Sequence, residues 1–91
     1  MYAVVVRETG ESEAIEGSEA HLAANVVPRV REAPGAVSAL WMTDGAGATL
    51  NVLVFENEDA ARAALQPVRN APRPGFMKLE SAEVYRVRAH F

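Results

Sequence analysis

Few side chains in this sequence have both the type and the setting for chemistry. Asn51 is the first. It stands inside the apolar run ATLNVLVF, Ala48 to Phe55, where an amide needs a hydrogen-bonding partner. It either ties down a neighbouring loop or meets a ligand, and the structural role is the expectation. Phe55 ends the same run. Trp41, the single tryptophan, carries a large apolar face and one N–H donor, suited to a pocket wall, a core or a subunit interface. His21 lies one helical turn before Asn25, and an imidazole titrating near neutrality can act as a base. Tyr85 and Glu83 could hydrogen-bond into a lined space. Arg69 and Arg73 flank proline in a loop able to close over a pocket and hold an anion.

Several chemistries are excluded or disfavoured. With no cysteine there is no disulfide, thiolate zinc site or cysteine nucleophile. His21 and His90 stand far apart without a carboxylate cluster, so no metal is expected. The acidic stretch Thr9 to Gly17 lacks the spacing and glycine of a calcium loop and reads as a solvated connector. No serine sits in a G-x-S-x-G elbow, and no glycine-rich loop precedes a helix to cradle phosphate. The net charge of −3 speaks against nucleic acid, which needs a basic face. No apolar run approaches the roughly 20 residues of a membrane span, and the N-terminus lacks the basic flank and cleavage site of a signal peptide. A cytoplasmic protein is expected.

The candidates hang on four strands and two helices. Tyr2 to Arg7 reads as the first strand, apolar in both phases and so covered on both faces. Ser18 is placed to cap a first helix whose stripe is Leu22, Val26, Val30 and Ala33. Pro28 should kink that helix near Ala24, and Pro34-Gly35 should end it. Ala36 to Thr43 is the second strand, and Asp44 to Gly47 turns it antiparallel onto Ala48 to Phe55. Asn57 caps a second helix, with Glu58 and Asp59 in its positive first turn and Pro67 in its last. Phe76 to Ala89 is the fourth strand, with a bulge near Ser81 to Glu83 where the apolar phase slips.

This β-α-β-β-α-β order over 91 residues predicts one α+β domain of ferredoxin-like form, a four-stranded antiparallel sheet with two helices on one face. The first three strands are apolar in both phases, yet helices cover only one face. The other would expose a large apolar patch. A second copy packed sheet to sheet would cover it and add stability to so short a chain. A homodimer through the open sheet face is therefore expected.

In Pro34-Gly35, in VLVFENEDAA (Val52 to Ala61) and in EVYRV (Glu83 to Val87), the chain resembles the dimeric α/β-barrel superfamily, and most of all the antibiotic-biosynthesis-monooxygenase-like proteins. The resemblance implies two sheets paired into a barrel and, in some members, a small molecule bound between sheet and helices. Haem-degrading relatives carry a Trp and a His where this chain has Phe55 and Leu65, so no haem cofactor is expected. Relatives that oxidise polycyclic phenols without a cofactor carry an Asn that Asn51 matches. Phe55 again replaces their Trp, and alanines with Arg62 stand where they hold a Tyr.

Two readings of function follow. One is a dimeric barrel binding a small apolar or aromatic molecule, with cofactor-independent oxygenation as the activity the resemblance implies, in a pocket lined by Asn51, Phe55 and first-helix residues, with Trp41, His21, Tyr85 and Arg73 as further candidates. The other is a non-catalytic structural or regulatory homodimer whose side chains fill that space. An RNA-recognition module shares the element order but would need a basic and aromatic third strand, which is missing.

Overall fold

A computed structural model describes residues 1–91. Valine-rich Tyr2–Gly10 forms β1, Ala36–Thr43 forms β2, Ala48–Phe55 forms β3 and Met77–Arg86 forms β4. They make one antiparallel sheet in the order β2-β3-β1-β4. The helical segments are α1 (Ser12–Gly17), α2 (Glu19–His21), a π-helical turn (Leu22–Val26), α3 (Val27–Arg31) and α4 (Glu58–Asn70). This is the expected ferredoxin-like α+β arrangement.

Period-two alternation sorts the side chains between the faces. Val4 pairs with Leu53 and Val84, Val6 with Asn51 and Ala82, and Asn51 with Trp41, all on the face turned to the helices. The buried core is Val4, Val6, Leu53, Phe55, Ala61 and Ala82. Full burial of Phe55 and Val4 contributes on the order of 2 kcal/mol each. The opposite face carries Leu40, Val52 and Val5 in one row and Val54, Ala3 and Tyr85 in the next. No helix covers it, and Leu40 is 61% exposed and Tyr85 47%.

Most local signals act as their chemistry requires. Asn57 Oδ1 accepts from the Ala60 N–H at 2.9 Å and opens α4. Asp44 Oδ1 accepts from Ala46 N and Ala48 N at 2.7 and 3.0 Å, closing the β2–β3 turn. These two N–H groups hold the Asp44 carboxyl below its usual range. Gly35 has φ +78°, and a Cβ there would lie 2.7 Å from Ala60 Cβ, so only glycine fits between β2 and α4. Pro28 has no N–H to give the Ala24 carbonyl, and the chain around Ala24 widens into the π-helical turn.

Four details differ from the sequence reading. The acidic stretch is not a connector: β1 continues to Gly10, and Ser12–Gly17 is helical. Its one large apolar side chain, Ile15, is buried and gives the helix its anchor. Ser18 is a junction rather than a cap, since its hydroxyl donates backward to Ile15 O at 2.7 Å. The β4 bulge falls one residue early: Arg7 faces Ser81 and Glu8 faces Leu79, leaving Glu80 as the extra residue. That slip turns Leu79, Ala82 and Val84 to the same face. Finally, β4 spans Met77–Arg86, shorter at both ends than expected.

Candidate functional site

Between the sheet and the helical layer lies a cavity of about 720 Å³. Its floor is the inner sheet face, with Val6, Trp41, Asn51 and Phe55. One wall is the arm running from Ile15 through the π-helical turn, and the other is α4 with the loop after it. Alanines at Ala60, Ala63 and Ala64 leave that second wall shallow, so α4 does not fill the space its backbone spans.

Five of the six sequence candidates meet here: Asn51, Phe55, Trp41, His21 and Arg73 all line the cavity. Tyr85 does not join them. Its Cα partner on β1 is Ala3, which places both on the opposite face of the sheet. A strand's alternation is absolute, so the bulge before Ser81 turns Ala82 and Val84 inward and Tyr85 outward with Glu83. Leu65 packs against the core and is absent from the cavity lining.

The polar centre of the site is a carboxylate that the sequence reading passed over. Glu8 continues the inward phase of Tyr2, Val4 and Val6 on β1. Its Oε2 accepts from Arg73 Nε at 2.7 Å, with the two side chains 11% and 16% exposed. Its Oε1 accepts from Asn51 Nδ2 at 3.0 Å and more distantly from Thr49 Oγ1 at 3.5 Å. The expectation for Asn51 was a backbone loop partner; the observed partner is this side chain. Arg73 spends its remaining hydrogen bonds on the end of α4: Nη2 donates to Val68 O at 3.0 Å, and Nη1 to Arg69 O and Ala71 O at 3.3 and 3.1 Å. The anion held by Arg73 is thus Glu8 itself, and the guanidinium also caps the negative end of a helix. Arg69 donates to Ala82 O at 2.7 Å, tying α4 to β4.

On the arm, Asn25 Nδ2 lies 3.0 Å from His21 Nδ1 and also donates to His21 O at 3.3 Å. No three His, Asp or Glu side chains gather as metal ligands would. No helix is long and apolar enough to cross a membrane. The arrangement offers an apolar chamber with one oriented amide, one indole and one imidazole on its walls.

No family model and no curated protein matches the chain significantly. Among solved structures it is similar to a monooxygenase from the gene ActVA-Orf6 of Streptomyces coelicolor, crystallised in complex with the ligand nanaomycin D. The two share 20% identity over 99% of this chain and 89% of that one, with a TM-score of 0.65. That likeness and the strand order agree: this chain has the ferredoxin-like α+β fold on which that monooxygenase is built.

Proposed function

We propose that this protein binds a small, largely apolar or aromatic molecule in the chamber between sheet and helices, as a cytoplasmic homodimer joined through its open sheet faces. The observation that carries the reading is the chamber itself. A cavity of about 720 Å³ is large for a 91-residue domain and falls within the range of ligand sites. The fold likeness to a ligand-bound monooxygenase supports a monooxygenase-like activity, and the match of Asn51 to the phenol-oxidising relatives is what favours one without a cofactor. Such a reaction balances when a phenol takes one atom of dioxygen to become a quinone and the second atom leaves as water. The row of exposed Leu40 and half-buried Val52 and Val5, on the face no helix covers, supports the dimer. A chain without cysteine has no disulfide that needs an oxidising compartment, which supports the cytoplasm.

A non-catalytic regulatory dimer is the second reading. It is favoured by Phe55, where relatives that oxidise phenols hold Trp, and by the alanines and Arg62 early in α4, where they hold a Tyr.

The test is a titration with nanaomycin D, read by quenching of the single tryptophan, Trp41, on the cavity wall. Saturable quenching at one molecule per chain is expected. Linear, unsaturable quenching would overturn ligand binding. Oxygen uptake with a polycyclic phenol, without added flavin or metal, separates the oxygenase from the regulatory dimer.

A further inference from the structure

We infer that Glu8 is a positioning residue that fixes the polarity of Asn51, so that the chamber presents a hydrogen-bond acceptor there and selects ligands bearing a donor. The inference rests on the ligand-binding reading of the chamber and assigns it a chemical preference.

A carboxylate accepts hydrogen bonds and donates none when ionised. An amide beside it must therefore turn its nitrogen toward it, and Asn51 Nδ2 does so at 3.0 Å. Glu8 cannot swing away. Arg73 Nε holds its other oxygen at 2.7 Å, and Arg73 is itself anchored on Val68 O, Arg69 O and Ala71 O. The amide is planar, so fixing its nitrogen fixes its oxygen. Asn51 Oδ1 makes no hydrogen bond within the chain. No buried side-chain polar atom in the protein lacks a partner, so this unpartnered oxygen is one that remains reachable. Asn51 lines the chamber, and Val6 and Trp41 flank it across the sheet. A ligand that places an N–H or O–H against this floor gains a hydrogen bond. One that places a lone pair there meets another lone pair.

The same reasoning gives a reversal. Glutamine at position 8 has one oxygen and one NH2. Arginine only donates, so the glutamine oxygen goes to Arg73 and the NH2 faces Asn51. Asn51 then turns its oxygen to that NH2 and its own NH2 to the chamber.

Indole and quinoline are the probes: flat bicycles of similar size, the first with a ring N–H donor, the second with a ring lone pair. Affinities are read by NMR shift titration of the Leu53 and Trp41 backbone signals. The wild-type protein is expected to favour indole about fivefold, the effect of one hydrogen bond. Glu8→Gln is expected to favour quinoline. Asn51→Leu is expected to bind both equally, and it serves as the second variant should Glu8→Gln fail to fold. A merely structural Glu8 would weaken both probes alike and leave their ratio unchanged. An unchanged ratio in Glu8→Gln, or an indole preference that survives Asn51→Leu, overturns the assignment while leaving the chamber a binding site. If neither probe moves a chamber signal in the wild-type protein, the binding reading itself fails and this inference with it.

Discussion

Glu8 and Arg73 meet at 2.7 Å although 65 residues separate them in sequence. Their contact joins the inner face of β1 to the loop after α4, and Asn51 completes it from β3 at 3.0 Å. Three elements thus share one polar cluster at the edge of a largely apolar chamber.

Arg73→Met removes the guanidinium and keeps most of the apolar stem. It leaves Glu8 without its charge partner in a mostly buried place and uncaps three carbonyls at the end of α4. The expected loss is about 2–4 kcal/mol, the range for breaking a buried pair reduced for partial solvent access. Urea unfolding at fixed protein concentration measures it, which holds constant any contribution from the proposed dimer. A loss under about 0.5 kcal/mol would mean the pair is solvated in solution.

Asn51→Leu is expected to be milder, about 1 kcal/mol, because Glu8 keeps Arg73 and Thr49 as partners. For a domain of this size that lowers the melting temperature by roughly 4–8 °C. A fall several times larger would show that the amide holds the fold by contacts beyond Glu8.

Asp44 makes a pH prediction. Its folded carboxyl lies below the ordinary value of 3.8, because Ala46 N–H and Ala48 N–H donate to it. A depressed folded value stabilises the protein above the unfolded value, and that contribution fades as pH falls from 3.8 through the folded one. Asp44→Ala should therefore melt lower than the wild type at neutral pH, and the gap should narrow in strong acid, near about pH 2. Parallel melting curves at both pH values check this. A gap that stays constant would assign the turn's stability to backbone geometry alone.

The open sheet face yields a prediction on assembly. Light scattering coupled to size exclusion should return twice the 9.8 kDa chain mass. Leu40→Glu, at an exposed position on β2 at the edge of the apolar row, should return the single-chain mass, since a charge in an apolar interface goes unpaired. A wild-type protein of single-chain mass at every concentration would remove the dimer.

The sequence alone determined the elements whose cause is local. The β2 and β3 ranges, the Asp44 turn, the Asn57 cap, the tight turn at Gly35 and the helix irregularity ahead of Pro28 all follow from residues close to one another in the chain. Alternation then placed Asn51 and Trp41 on strands with two apolar phases. What the sequence could not decide was which phase faced the helices, because both were apolar; only the packing of α4 and the arm settled that Trp41 points inward and Leu40 outward. Tyr85 stands away from the chamber because it pairs with Ala3 on the face no helix covers, and that placement depends on the pairing of β4 with β1, which alternation along β4 does not record. Glu8 escaped notice because a charged residue at a strand end reads as the start of a loop. Its continuation of the Tyr2, Val4 and Val6 phase was the available signal, but a charge on that phase is tolerable only when a partner reaches it. That partner, Arg73, comes from the far end of the chain, and no local pattern records a contact made by tertiary folding.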